Sequence, residues 1–311
     1  MAFGPVPSRR LGRSLGINNI PPKSCTYSCV YCQIGRTPRM LVEREPFYLA
    51  EEILQDVEAR VKEARAQGEP VDYLTFVADG EPSLDIKLGK TIKLLRPLDI
   101  KIAIISNGSL LWKDDVQEDL QGSDWVSLKI DATSEHLWRT INRPHGSLRL
   151  DTILAGISDF SRAFTGELTT ETMLVHGTND DPAELEKVAG FIARLKPERS
   201  YVAVPTRPPA EDWVRPATEH AVNTAYQLFR EHSLNVEYLI GYEGNAFAFT
   251  GNLAEDLLSI TSVHPMREDA VNELLSKANA SWAAVETLIN DGKLVETTFK
   301  GSRFYVRKMS A

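Results

Sequence analysis

The stretch Ser24-Cys25-Thr26-Tyr27-Ser28-Cys29-Val30-Tyr31-Cys32 contains all three cysteines of this 311-residue chain, in the spacing C-x3-C-x2-C. An odd number of cysteines this close together cannot form a disulfide framework. Soft thiolate ligands select zinc, copper(I) or iron–sulfur clusters, so the stretch indicates a metal site.

The other ligands that the sequence offers narrow the choice of metal. A structural zinc site takes four ligands, usually in two separated pairs. The chain has no fourth cysteine, and the first of its six histidines is His136, so zinc would need a remote histidine. An iron–sulfur cluster with three protein ligands fits better, and it leaves one iron open for a reactive cofactor.

The charge around the cysteines is uneven. Residues 1–42 contain no Asp or Glu, although the whole chain carries a net charge of −8. This acidic total argues against bulk electrostatic binding to nucleic acid or to an anionic membrane. The basic segment is either a solvated loop or a docking surface for something anionic beside the metal. Its members are Arg9, Arg10, Arg13, Lys23, Arg36 and Arg39.

The composition is that of a globular protein, with 42% hydrophobic and 25% charged residues, and it excludes disordered and fibrous classes. No stretch approaches the roughly 20 apolar residues of a membrane span. The opening residues MAFGPVPSRRLGRSLG lack the apolar core of a secretory signal. We therefore expect a cytoplasmic protein with no membrane partner.

Short apolar runs alternate with helical patterns through the middle of the chain, which predicts an α/β fold with a parallel sheet. Right-handed crossovers allow a doubly wound sheet or a full or partial barrel. The predicted strands are Ser14–Ile20, Tyr73–Ala78, Lys101–Ser106, Trp125–Asp131, Leu168–His176 and Ser200–Thr206. The predicted helices are Leu49–Ala66, Ile86–Leu95, Asp114–Leu120, Glu135–Ile141, Leu150–Phe164, Pro182–Leu195 and Thr218–His232.

Polar residues follow several of these strands. Because both fold types put function at the carboxyl ends of the strands, we expect these residues to surround one site. Each segment taken singly is also what an ordinary turn contains. The segments are Asp79-Gly80-Glu81-Pro82, Ser106-Asn107-Gly108, Lys129-Ile130-Asp131, His176-Gly177-Thr178-Asn179 and Pro205-Thr206-Arg207-Pro208-Pro209.

The segment 251–311 departs from this rhythm and predicts a small C-terminal domain after a barrel domain at 1–250. Helices at Arg267–Lys277 and Ser281–Asp291 precede strands at Leu294–Thr298 and Arg303–Arg307, a winged-helix-like order. The second helix contains no Lys or Arg, which argues against DNA binding. Recognition of a peptide or protein, or a lid over the barrel, is the favoured role, while basic residues on the hairpin keep backbone contacts to RNA or DNA open.

The cysteine motif after the first predicted strand, with Tyr31 before its last cysteine, resembles the radical S-adenosylmethionine (SAM) superfamily. The resemblance implies a partial (β/α)6 barrel. It also implies that Cys25, Cys29 and Cys32 hold a [4Fe–4S] cluster whose fourth iron is chelated by SAM. Reductive cleavage of SAM would then yield a 5′-deoxyadenosyl radical that abstracts hydrogen from a substrate.

The same resemblance implies which residues contact SAM. The Gly-Gly-Glu-Pro-like motif of the family matches residues 79–82, with Asp79 in place of the first glycine. Ser127, Lys129 and Asp131 share one strand face, which should point into the barrel. The less favoured alternative is that Lys129 and Asp131 only form an internal ion pair. The implied SAM contacts are Tyr31, Gly80, Glu81, Asn107, Lys129 and Asp131. The substrate candidates are Arg143, His176 and Arg207.

Within the superfamily, the segments Gly4–Arg10, Ser14–Asn18 and Asp79–Ser83 resemble the branch of the wybutosine-synthesising tRNA enzyme and its iron–sulfur oxidoreductase relatives. That enzyme has further cysteines for a second cluster, which this chain lacks. An external one-electron donor of the flavodoxin or ferredoxin type is therefore expected. The substrate stays open between a protein, a tRNA base and a small metabolite. A metal-stabilised regulator that binds nucleic acid through the winged helix is the alternative from another functional class.

Overall fold

A computed structural model describes residues 1–77, 79–241, 247, 249, 251–263, 265–299 and 301–308 of the chain. No helix within these ranges is long and apolar enough to cross a membrane. Ala78, the last residue of one predicted strand, and residue 250, the predicted domain boundary, lie outside the described residues.

The main sheet, as far as the described residues show, has eight strands and curls into a partial barrel. The strands are β1 Ala2–Ser8, β2 Gly12–Ile17, β5 Tyr73–Phe76, β6 Lys101–Ser106, β7 Trp125–Lys129, β8 Glu167–Met173, β9 Arg199–Ala203 and β10 Val236–Leu239, with β3 Ser24–Cys25 and β4 Arg39–Met40 forming a separate short pair. The order across the main sheet is β1-β2-β5-β6-β7-β8-β9-β10. β1 pairs antiparallel with β2, and every other pair in this sheet is parallel.

Helices connect the parallel strands, so the predicted α/β class and partial (β/α)6 barrel are confirmed. They are α1 Ala50–Ala66, α2 Leu88–Leu95, α3 Asp114–Gln121, α4 Glu135–Ile141, α5 Leu150–Ala163, α6 Pro182–Leu195 and α7 Glu219–Glu231. In α1, Ile53, Val57 and Val61 are buried against the sheet, as their spacing predicts. Helix α6 begins at Pro182 because the Asp181 side chain accepts a hydrogen bond from the Ala183 amide (2.9 Å).

The two outer strands, β1 and β10, were not predicted. β1 contains Gly4, Pro5 and Pro7, which are typical of loops, but an edge strand tolerates proline because one of its sides has no neighbour to bond. Its pairing with β2 is irregular between Phe3 and Val6. β10 has only four residues, so its alternation is too short to recognise in the sequence, and β9 is its neighbour in the described sheet.

The chain after the barrel forms α8 Leu253–Val263, β11 Met266–Arg267, α9 Glu268–Lys277, α10 Ala283–Asn290, β12 Leu294–Phe299 and β13 Ser302–Arg307. Three of these are strands, in the order β11-β13-β12. Phe3 and Val6 of β1 are buried in the same apolar cluster as the inner faces of α8, α9 and α10. Arg60 of α1 also forms ion pairs with Glu255 and Asp256 of α8. β1 therefore supplies apolar surface to both parts of the molecule.

Candidate active site at the cysteine loop

The cysteine loop lies after the carboxyl end of β2 and is held by backbone hydrogen bonds to distant segments. The Val30 amide donates to the Ile141 carbonyl (2.9 Å), and the Ser28 amide donates to the Asn142 carbonyl (3.1 Å). The Cys32 amide donates back to the Cys29 carbonyl (3.1 Å) and closes a turn between the last two cysteines. The three thiols are thus presented from a loop anchored to the segment that follows α4.

Each cysteine sulfur is approached by one side-chain N–H donor from elsewhere in the chain. Asn107 Nδ2 lies 3.7 Å from Cys25 Sγ, and Asn142 Nδ2 lies 3.5 Å from Cys29 Sγ. Lys23 Nζ lies 3.8 Å from Cys32 Sγ. Donors in these positions stabilise negative charge on sulfur, which is the state in which cysteine binds metal.

The donor chemistry of the loop fits a three-thiolate cluster. Burial raises the pKa of the Cys25 thiol well above its ordinary value, and burial followed by the charge of Asp131 raises the pKa of Cys29 to about 12. A bound cation reverses this effect because it favours the thiolate. No three His, Cys, Asp or Glu side chains in the described ranges could hold a single metal ion. The ligands of a cluster bind different irons and do not need to converge on one point.

Gly80 and Glu81 connect the loop to the next strand ends. A Cβ atom added to Gly80 would lie 1.7 Å from the Ser24 carbonyl oxygen, so only glycine fits beside the residue that precedes Cys25. The buried Glu81 carboxylate accepts hydrogen bonds from Ser106 Oγ (2.7 Å) and from the Asn107 amide (2.8 Å). Burial raises the pKa of Glu81. The hydrogen bonds that its carboxylate accepts from Ser83, Asn107 and Ser106 act to lower the pKa but do not outweigh burial. In this structure Glu81 thus positions Asn107.

Asp131 is the centre of a second set of contacts. Its carboxylate accepts hydrogen bonds from Asn142 Nδ2 (2.8 Å), from the Met173 amide (2.8 Å) and from the Tyr31 hydroxyl. Lys129 Nζ lies 3.8 Å from Asp131 Oδ1 and 4.8 Å from the centre of the Tyr31 ring. The ring next to Cys32 is therefore oriented by two residues at the end of β7.

Glu171 of β8 connects this set to the basic N-terminal segment. It accepts hydrogen bonds from Lys129 Nζ (2.8 Å) and from Arg10 Nη1 (2.6 Å). Burial acts to raise the pKa of Glu171, but Lys129 and Arg10 outweigh burial and lower it to about 2. Burial acts to lower the pKa of Lys129, but the charges of Asp131 and Glu171 outweigh burial and raise it. Lys129 therefore stays charged inside the barrel.

A cavity of about 310 Å³ opens beside the loop, bounded by β1 and the carboxyl ends of the parallel strands. Tyr31, Cys32 and Lys129 line one part of it. Arg207, which is only 8% exposed and donates to Gln33 Oε1 (2.9 Å), lines another part. A polar region at the strand ends is the arrangement that barrel enzymes use for binding small ligands.

The substrate candidates do not all meet at this cavity. Arg207 lines it, but His176 is exposed and lies beside Asp180 (Nδ1 to Oδ2, 3.3 Å). Arg143 forms an ion pair with the buried carboxylate of Glu211, which also accepts two hydrogen bonds from Arg36. Arg143 thereby connects the segment after α4 to the loop after β9.

Much of the basic segment 9–39 is already paired within the molecule. Arg10 contacts Glu171, Arg13 contacts Glu69, and Arg36 contacts Glu211. Arg39 remains 69% exposed, with Glu45 at 3.4 Å. The positive charge open to an anionic partner is therefore smaller than the sequence suggests, since the neutralising acids come from distant segments.

Sequence reasoning missed Asn142, Glu171 and the inward position of Arg10. A charged residue inside the predicted buried strand Leu168–His176 was the available signal for Glu171, because a charge in such a strand needs a partner. Asn142 ends α4 and resembles any other helix-terminating residue, so no local pattern indicates its contact with Cys29.

Together, the partial barrel and the three-cysteine loop at the carboxyl end of its strands define a class of protein. The radical SAM superfamily matches residues 19–189, more than half of the chain. The chain belongs to the radical SAM superfamily, as the cysteine motif predicted.

Similarity extends to sequence relatives and to solved structures. The chain is 46% identical to a UPF0026 protein of Methanocaldococcus jannaschii over 313 residues, covering 100% of this chain and 97% of that protein. The fold is similar to a radical SAM methyltransferase from Sphaerobacter thermophilus, with a TM-score of 0.56 and 16% identity over 73% of this chain and 66% of that one. Structural neighbours also include TYW1 with a lysine–pyruvate adduct bound, with a TM-score of 0.48 and 12% identity over 95% of this chain and 80% of that one.

Proposed function

We propose that this protein is an enzyme that uses a [4Fe–4S] cluster held by Cys25, Cys29 and Cys32 to cleave SAM reductively. When bound, the cluster and SAM supply a 5′-deoxyadenosyl radical that abstracts hydrogen from a substrate. The observation that carries the proposal is the arrangement of the three thiols, each approached by an N–H donor, beside a cavity at the strand ends of a radical SAM barrel.

The strand-end residues have separate roles in this proposal. Gly80 lets the strand end approach the cysteine loop, and Glu81 holds the Asn107 amide. Asp131 orients Tyr31, and Lys129 contacts the face of the same ring. We place SAM against Tyr31, Gly80, Glu81, Asn107, Lys129 and Asp131, with Glu81 acting through the Ser106–Asn107 turn.

The substrate side of the proposal rests on Arg207. Its guanidinium group is nearly buried, lies on the cavity wall and is presented by the segment Thr206-Arg207-Pro208-Pro209. A planar, permanently charged group held in this way suits a carboxylate or phosphate of the substrate. Arg143 and His176 are weaker candidates, because neither is among the described residues that line the cavity, and their side chains contact Glu211 and Asp180.

We further propose that residues 251–311 form a winged-helix-like domain that recognises a macromolecular substrate or covers the barrel. The order α8, β11, α9, α10, β12 and β13 supports this, as does the apolar contact of these elements with β1. The required electron comes from an external donor of the flavodoxin or ferredoxin type, because the chain has no cysteines for a second cluster.

The test is anaerobic reconstitution with iron and sulfide, followed by incubation with SAM and dithionite. We expect a brown protein that produces 5′-deoxyadenosine and methionine in equal amounts. Cys25→Ala, Cys29→Ala and Cys32→Ala should each lose iron and this activity, because no fourth cysteine can replace a missing ligand. A parent protein that binds zinc without SAM, or full iron in any of the variants, would contradict the proposal.

A further inference from the structure

The three donors to the cysteine sulfurs come from three different parts of the chain. Lys23 precedes the loop, Asn107 follows β6, and Asn142 ends α4. They reach Cys32, Cys25 and Cys29 respectively, at 3.8, 3.7 and 3.5 Å. Each thiolate ligand of the proposed cluster therefore has a side-chain N–H donor, and one of these three donors is a cation. Cys25 Sγ also accepts from the Tyr27 amide (3.5 Å).

Lys23 is nearly buried, and its backbone adopts a strained conformation. It is only 7% exposed, and its φ of 62° lies in the left-handed region that residues other than glycine seldom adopt. Its amide is fixed by the Asp79 carbonyl (2.8 Å), and its ammonium group donates to the Gly35 carbonyl.

Lys23 has no carboxylate in direct contact within the described residues. No Asp or Glu there lies within 4.0 Å of Lys23 Nζ, and its acceptors are the Gly35 carbonyl and the Cys32 sulfur. Its charge reaches the Asp79 carboxylate only at longer range, where it acts to lower the pKa of Asp79 against the effect of burial. A nearly buried cation without a carboxylate in contact is costly. An anionic group at the cysteine loop would balance that charge.

We infer that Lys23, acting through Cys32, raises the reduction potential of the cluster. Asn107 and Asn142 act in the same direction through Cys25 and Cys29, but without a charge. This inference rests on the proposed function. Reduction adds one electron from the external donor, or from dithionite in the assay, and no covalent bond forms or breaks. The added electron increases the negative charge of the cluster, including its three thiolate ligands. A nearby cation and N–H donors therefore stabilise the reduced state. Lys23 therefore makes the cluster easier to reduce.

The experiment is a redox titration of the reconstituted protein without SAM or substrate, monitored by electron paramagnetic resonance of the reduced cluster. At a given ambient potential, Lys23→Met should lower the ratio of reduced to oxidised cluster about tenfold, a shift of about 59 mV to more negative values for a one-electron couple. Lys23→Arg, which keeps the charge, should retain most of the parental potential. Lys187→Met removes an exposed lysine on α6 and should match the parent.

The outcomes separate this inference from the proposed function. If the parent assembles no cluster, the proposed function fails. If parent and Lys23→Met carry the same iron and the same potential, the inference alone fails, and it also fails if Lys23→Arg shifts as far as Lys23→Met. Should Lys23→Met not retain iron, Asn142→Ala provides the second test. A smaller shift to more negative potential supports the inference, and an unchanged potential overturns it.

Discussion

Gly80→Ala is the substitution whose effect the structure specifies most directly. The new Cβ would lie 1.7 Å from the Ser24 carbonyl oxygen and 2.6 Å from its carbonyl carbon, whereas real Cβ contacts are essentially never under 3.0 Å. The two segments must therefore separate by about 1.3 Å, the difference between 3.0 and 1.7 Å. Both contacting atoms belong to the backbone, so no side chain can rotate away to relieve the overlap.

The displacement reaches the cysteine loop because Ser24 directly precedes Cys25. It also lengthens the hydrogen bond from the Glu81 amide to the Ser24 carbonyl (3.0 Å). Overpacking of this kind costs about 1–3 kcal/mol, and the weakened hydrogen bond adds about 1 kcal/mol. For a cooperative transition of 311 residues, a total of about 2–4 kcal/mol lowers the thermal midpoint by about 3–6 °C.

The assay compares iron per chain after reconstitution with the thermal midpoint of the same preparations. We expect Gly80→Ala to lose both iron and stability. Gly146→Ala is the matched control, because a Cβ there meets no atom of the described residues within 4 Å and its backbone is not left-handed. Parental iron and a parental midpoint in Gly80→Ala would show that the contact of Gly80 with Ser24 does not hold the cysteine loop in place.

Three further predictions address pH dependence, substrate and electron delivery. Burial raises the pKa of Asp79 from its usual 3.8 to about 6. The ionised carboxylate therefore destabilises the folded protein fully above pH 6, and this cost disappears below pH 3.8, where Asp79 is protonated in both states. Asp79→Asn should raise the free energy of unfolding, measured by urea denaturation, by about 2–3 kcal/mol at pH 8 and leave it unchanged below pH 4. Arg207→Lys should preserve SAM cleavage without substrate but reduce coupled turnover, whereas loss of both would indicate a folding role. Reduction of the cluster by an acidic protein donor should slow as ionic strength rises. Replacing the exposed Arg39 by Glu should slow reduction by that donor and leave reduction by dithionite unchanged. Equal losses with both reductants would assign Arg39 to the reaction itself.

The α/β class and the cysteine motif follow from the order of residues alone. Buried strands and amphipathic helices leave periodic patterns within one segment, and the three cysteines are neighbours in the chain. The predicted helices Glu135–Ile141 and Pro182–Leu195 agree with α4 and α6 to the residue, and the predicted strand Lys101–Ser106 agrees with β6. Other predicted elements differ from the observed ones mainly at their ends, where local patterns are weakest.

The contact of the strand-end residues with SAM stays a prediction, and their contacts within the protein were beyond the reach of the sequence. Glu81 holds the Asn107 amide, and Asp131 meets Tyr31, which is 100 positions away. Which of the substrate candidates reaches the cavity also depended on the fold, since Arg207 lines it and His176 points to the surface.

The superfamily, the group of three cysteines and the alternation of the inner strands with helices could be read from the sequence, because each of these involves residues close together in the chain. The acids that neutralise the basic segment, the requirement for glycine at position 80 and most of the donors to the sulfurs emerged only from the folded chain. Apart from the contact of Lys23 with Cys32, these features depend on segments tens to more than a hundred residues apart. Such contacts follow from how the strands curl and pack, and no local periodicity records them.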